Sequence, residues 1–457
     1  MSAYTQAASL AVPLPEDILK HKWAGDLQAA DRAIVLRLAQ PLPAALRDRL
    51  LCERERLRRL PTQYPWNRAE ALERLRELVP DMTSAEFARL EDEGLVDFIY
   101  LNGERRYFVR FHRTLIKYPD LANRGGEKRV TPESPWLDPM IAEAKANGRV
   151  ARRITLEATV FPAEQAFVPG EYRAWLPVPI PCAQQRDIVI DADADSIAPE
   201  DAPARTAHWR RRLEENRPFT ARYTYASEIR YADPLHTPAP SAPLYPDARP
   251  VEAADLAEDG ASMRFTPYLR ALAAELADGA ATPVEKAWRF YEFITTRVRY
   301  AFVRDYFQLD DPGEYCAVNL KGDCGLQALL FILLCRISGI PARWQSGLSV
   351  ERTGGGSHDW TQFWLEGWGW LFCDPSYGGG AWRNGSRERH AYYFGNIDPC
   401  RMAANRVFRA PLCPEEDFLR VDPYDNQSGE LCLTGRPFPF TGREVDGDVR
   451  LVHLESL

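Results

Sequence analysis

The stretch KGDCGLQALLFILLCRISGIP, Lys321–Pro341, decides how this chain is read. From Cys324 to Ser338 almost every side chain is apolar, and Gly339 with Pro341 supplies a stop, so the pattern predicts a helix buried on nearly all sides. Cys324 falls in its first turn. There the unpaired backbone N–H groups and the positive end of the helix dipole favour a thiolate, the form of cysteine that attacks a carbonyl carbon. Gly322 and Gly325 let a substrate backbone come close. Asp323 works against the thiolate unless its carboxylate caps the helix and turns away.

Working outward, His358 stands 34 residues downstream, after a flexible glycine-rich loop expected at Thr353–Ser357, and opens a strand expected over Asp359–Glu366. A turn at Gly367-Trp368-Gly369 reverses the chain, and Trp370–Cys373 returns antiparallel to end at Asp374 before Pro375. His358 and Asp374 are thereby expected at one end of a sheet, with the carboxylate fixing the imidazole tautomer. Cys324 would attack an amide or ester carbonyl, His358 would carry the proton to the leaving amine, and Asp374 would orient His358. The Cys324 backbone N–H would supply one oxyanion donor, with Gln308 and Asn319 as candidates for the second. Cys316, eight residues before Cys324, reads either as a loop cysteine or as a redox partner of the nucleophile.

Four motifs stand in order: Gly322-Asp323-Cys324, Gly339-Ile340-Pro341-Ala342-Arg343, His358-Asp359-Trp360 and Asp374-Pro375. Together with the helix expected over Ala287–Tyr300, they make residues 261–400 resemble the transglutaminase-like core. That resemblance implies an α+β, papain-like core with a Cys324–His358–Asp374 triad. The superfamily includes cross-linkers, deamidases, peptidases, amidases and inactive scaffolds, so the resemblance fixes the chemistry more tightly than the reaction. The expected function is thiol-dependent acyl transfer on an amide of a peptide or protein substrate through a Cys324 thioester, hydrolytic in outcome. The alternatives are cross-linking to a primary amine and a binding scaffold with a vestigial triad. No metal or organic cofactor is expected.

The remainder divides by pattern. Residues 1–120 read as a helical region with a β-hairpin at Asn102-Gly103, its charged helix faces solvated. Residues 121–148 read as a linker and 149–230 as a small antiparallel β-sandwich. The proline-rich 231–258 reads as a connector, 259–430 as the catalytic domain, and 431–457 as a C-terminal tail. Charged residues make up 27% and the net charge is −8, which argues against a nucleic-acid or anionic-membrane partner. Nine cysteines without a C-x-x-C pair suggest neither zinc nor a disulfide framework. With no secretory leader or membrane-length apolar run, a cytoplasmic protein is expected. The oligomeric state is left open.

Overall fold

In the computed structural model, which describes residues 9–124, 130–260, 262–352, 354–416, 420, 427–436 and 439–457, the chain opens as short helices between Glu16 and Asp92. Two of them begin at full capping boxes, Asn67 with Glu70 and Thr83 with Glu86. The hairpin follows as β1 (Phe98–Leu101) and β2 (Glu104–Tyr107), turning through Asn102 and Gly103 at positive φ.

The charged faces of these helices do not all meet solvent. On α1 (Ala44–Gln63), Arg49, Glu53, Arg56 and Arg59 are buried, against expectation. The reason is mutual pairing: Arg56 reaches Glu53 at 3.0 Å, Asp310 at 2.7 Å and the Gln308 carbonyl at 2.6 Å, tying α1 to the loop ahead of Cys324. Burial alone would raise the Glu53 carboxyl, but Arg56, Lys22 and Arg49 hold it at about 2. Because this folded value lies below the unfolded one, the stabilisation is present above about pH 4.5. It is lost as the pH falls towards 2, at up to about 3 kcal/mol. Urea titrations from pH 6 to 3 should therefore show wild type losing stability that Glu53→Gln has already lost; parallel profiles would contradict the linkage.

Where a linker was expected, α2 (Asp138–Asn147) packs its Met140, Ile141 and Ala144 into the core and ends at Gly148 in the left-handed region. The sandwich begins immediately after it. Its first strands are β3 (Arg149–Pro162), β4 (Gly170–Pro177), β5 (Gln185–Asp191), β6 (Ser196–Ile197), β7 (Thr206–Leu213) and β8 (Phe219–Arg230). Phe219, Ala221, Tyr223 and Tyr225 of β8 alternate inward and are buried, as a period of two requires.

The core follows. A two-residue parallel pair, β9 (Arg299–Tyr300) with β10 (Lys321–Gly322), leads into α3 (Cys324–Ile337). Behind α3 lies an antiparallel sheet of β11 (Ala342–Glu351), β12 (Gly354–Leu365), β13 (Gly369–Cys373), β14 (Phe394–Gly395) and β15 (Arg401–Asn405), in the order β14-β13-β12-β11-β15. Leu329, Phe331 and Leu333 of α3 are fully buried; Phe331 meets the sheet edge-on at Phe363, while Leu333 lies against Gly313. The glycines expected to form a loop before His358 belong instead to β12, where Gly354, Gly355 and Gly356 pair with Glu351, Val350 and Ser349. At Gly354 and Gly355 a side chain would strike Val449, so only glycine allows that approach. After α4 (Pro375–Arg383) and β15, the segment read as a tail supplies two strands of the sandwich. These are β16 (Glu430–Leu433) beside β4, and β17 (Val445–Ser456) beside β3. The sheets are thus β16-β4-β7-β6 and β17-β3-β8-β5. Among the described residues no helix is long and apolar enough to cross a membrane.

Candidate active site

Asp323 is the N-cap of α3, accepting hydrogen bonds from the Leu326 N–H at 3.4 Å and from the Tyr306 hydroxyl. Burial pushes its carboxyl up to about 6, against the pull of the Tyr306 hydrogen bond. Cys324 is half-buried, and its thiol donates to Asp359 Oδ2 at 3.2 Å. Desolvation, followed by the Asp359 and Asp323 carboxylates, holds that thiol well above its ordinary range. A thiolate made by the helix dipole was expected; two neighbouring anions and a hydrogen-bond acceptor outweigh the dipole in this resting arrangement. Gly325 makes the approach possible, since a β-carbon there would lie 2.2 Å from the Tyr306 hydroxyl and 2.9 Å from Asp359 Oδ2.

His358 is buried on β12, and its Nε2 lies 2.7 Å from Asp374 Oδ2. Burial lowers the imidazole pKa, with Asp374 opposing the shift, so the ring is neutral near pH 7. A neutral ring facing a carboxylate through Nε2 carries its proton there, which leaves the Nδ1 lone pair as the base. Asp374 is fully buried, accepts the Tyr377 N–H at 2.9 Å to cap α4, and sits 3.0 Å from Arg401 Nη2. Burial would raise its carboxyl, but His358 and Arg401 together hold it below the usual range. Arg401 is itself buried between Asp374 and Asp398, the latter at 2.7 Å, with its guanidinium 4.0 Å from the Tyr377 ring centre. Tyr377 packs against the imidazole at 4.7 Å between ring centres.

The structure therefore brings His358 and Asp374 together, and it does not bring Cys324 into a hydrogen bond with His358. The thiol is turned to the next residue of the same strand. Neither expected second oxyanion donor is free: the Gln308 amide donates to the Arg56 carbonyl at 2.9 Å, and that of Asn319 to the Tyr315 carbonyl at 2.8 Å. Cys316 lies in a helix and is buried against Gly322; burial pushes its thiol up, and it forms no disulfide with Cys324. Two residues that shape the site, Asp359 and Arg401, were not singled out by sequence reasoning. Asp359 lies inside a motif that was read, so a polar residue beside the base was the available signal; Arg401 offered none.

Asp359→Asn removes the anion nearest the sulfur. The midpoint of the pH–rate profile for iodoacetamide labelling of Cys324 is expected to move to lower pH; a midpoint unchanged from wild type would show that the carboxylate does not restrain the thiol.

Residues 270–375 match the model of the transglutaminase-like superfamily, a segment that contains Cys324, His358 and Asp374. No curated protein matches the chain in sequence. Among solved structures, a candidate cysteine protease from Cytophaga hutchinsonii is 13% identical with a TM-score of 0.42, over 68% of this chain and 91% of its own. The periplasmic domain of TgpA from Pseudomonas aeruginosa is 15% identical with a TM-score of 0.26, over 56% of this chain and 97% of its own.

Proposed function

With residues 270–375 standing as a transglutaminase-like core, we propose that the protein is a thiol enzyme that cleaves amide bonds in a peptide or protein substrate through a thioester on Cys324. The observation that carries this reading is the buried His358–Asp374 hydrogen bond of 2.7 Å, backed by Arg401. It supports a base whose free nitrogen is Nδ1 and whose cation, once formed, faces an ionised carboxylate.

The sulfur leaves Asp359 by rotation about the Cys324 side chain and gives its proton to His358 Nδ1 as it attacks the carbonyl carbon. The tetrahedral oxyanion is met by the Cys324 backbone N–H at the start of α3. Collapse breaks the C–N bond, and the imidazolium returns the proton to the departing amine, leaving a thioester. Water, deprotonated by His358, then adds to the thioester, and the carboxylic acid departs as the thiol is restored.

Trapping tests the reading. The full chain is incubated with a peptide digest, quenched in acid, and the adduct on Cys324 identified by mass spectrometry. An acyl adduct on wild type, absent from Cys324→Ala, with hydrolysed product accumulating, is the expected result. Incorporation of an added primary amine in place of water would instead establish cross-linking. No adduct with any peptide pool would leave the triad as part of a binding scaffold.

A further inference from the structure

Most arginines of this net-acidic chain face a carboxylate, yet Arg110, Lys117, Arg299 and Arg383 beside the nucleophile have no ion-pair partner among the described residues. They rest on aromatic rings. Arg110 lies 3.8 Å and Lys117 5.9 Å from the centre of Phe302, and Arg299 lies 4.9 Å from that of Tyr118. Arg383 lies 5.4 Å from Tyr118 and 5.6 Å from Tyr300. Rings of this kind hold a cation in place without cancelling its charge. The Nε of Arg383 is buried and makes no hydrogen bond.

The cluster is fixed next to Cys324 by backbone geometry. Tyr300 pairs with Gly322, two residues before the nucleophile, and accepts the Tyr118 hydroxyl on its carbonyl at 2.8 Å. Phe302 is held by Thr114 at 3.0 Å. Arg383 ends α4, the helix that Asp374 begins. Ionisation of Cys324 is coupled to Lys117 and Tyr300, and that of Asp323 to Arg110. Glu351 lies within the field of Lys117 without forming an ion pair. Four like charges gathered on one rim repel one another, so the arrangement favours an anion that is supplied from outside.

We propose that this rim selects acidic peptides, seating a carboxylate of the substrate on Arg110, Lys117 and Arg383 while the neighbouring amide meets Cys324. The selectivity rests on the amide-cleavage reading, but the cationic rim can be measured without turnover. A group of four cations on an acidic protein fits a short carboxylate-bearing segment better than a nucleic-acid backbone, which needs an extended basic track.

The test is the ratio of Cys324 alkylation by iodoacetate to that by neutral iodoacetamide, on the full chain, located by peptide mapping. The triple variant Arg110→Gln/Lys117→Gln/Arg383→Gln should lower that ratio about fivefold at low salt. In wild type, raising KCl to about 0.5 M should lower it in the same direction, a measurement that does not depend on the variant folding. A glutamate-rich peptide should slow labelling by iodoacetamide where its glutamine isostere does not. Equal ratios in wild type and variant, or a ratio indifferent to salt, overturn the acidic-substrate proposal and leave amide cleavage standing. Stronger protection by a phosphopeptide than by the glutamate peptide overturns the carboxylate assignment. Failure of both reagents to label Cys324 overturns the nucleophile reading as well.

Discussion

Arg401→Met is expected to lower the unfolding free energy by about 3–5 kcal/mol at pH 7, the cost of leaving buried charge without its partner. The guanidinium is fully buried, 3.0 Å from Asp374 and 2.7 Å from Asp398. Methionine fills much of the volume but supplies no charge, so both carboxylates lose their shared cation in a low dielectric and keep neutral donors, the Tyr377 N–H on Asp374 and the Tyr393 hydroxyl and Cys400 N–H on Asp398. Their remaining recourse is to bind protons, which gives the loss a pH signature. In wild type Asp374 is held below its ordinary range, so its contribution is present above the unfolded value near pH 4 and is lost as the pH falls through the folded one. In the variant the carboxyls titrate higher, and the stability deficit against wild type should grow as the pH rises from 5 to 8. Urea midpoints at those pH values check this; a deficit that is constant or shrinks would mean that packing, not charge, is what Arg401 supplies.

Asp374→Asn is expected to act in the opposite way, sparing the fold and removing the chemistry. The carboxamide keeps an oxygen to cap α4 at the Tyr377 N–H, and Arg401 keeps Asp398. Facing His358, however, an amide N–H favours the tautomer protonated on Nδ1, which cannot accept a thiol proton. Acyl-enzyme formation on Cys324 should fall by about four orders of magnitude, as such tautomer errors do in triad enzymes. The urea midpoint should stay much closer to wild type than that of Arg401→Met. Intact-mass kinetics measure the first effect, and retention of full acylation would remove Asp374 from the mechanism. The two substitutions share one network, so their effects on acylation should not add.

These two residues also mark what the sequence could convey. Asp374 was legible because it stands at the end of a strand, before a proline, in step with His358 and the buried helix. Local period and turn chemistry report neighbours of that kind. Arg401 lies on β15, brought to the site by pairing with β11 and by its ion pair with Asp374, and the local sequence announces neither. The same limit hid the buried pairs of α1, since composition cannot tell a solvated arginine from one that reaches Asp310 across the fold. Cys324 was legible as a nucleophile candidate, but not its protonated state, because Asp359 alters the thiol through side-chain direction rather than through spacing. The Asn102-Gly103 hairpin and the helix at Cys324–Ile337 were legible because their signals are wholly local.

The pairing of β17 with β3, in which Arg153 meets Glu455 across 302 positions, makes the core a guest inserted into a host sandwich. The chain begins the host, departs through the core, and returns to finish both sheets. Closing so long a loop costs only slightly more entropy than closing a short one, but it makes the contact slow to form. During synthesis the Cys324 helix and its sheet are complete before β16 and β17 exist, while β3 and β4 wait with open edges. Loss of the last two strands should therefore appear first as edge-to-edge association of the host, and reach Cys324 through β12, where Val449 lies against Gly354 and Gly355 and where Gln427 of the same returning segment donates to Asp359.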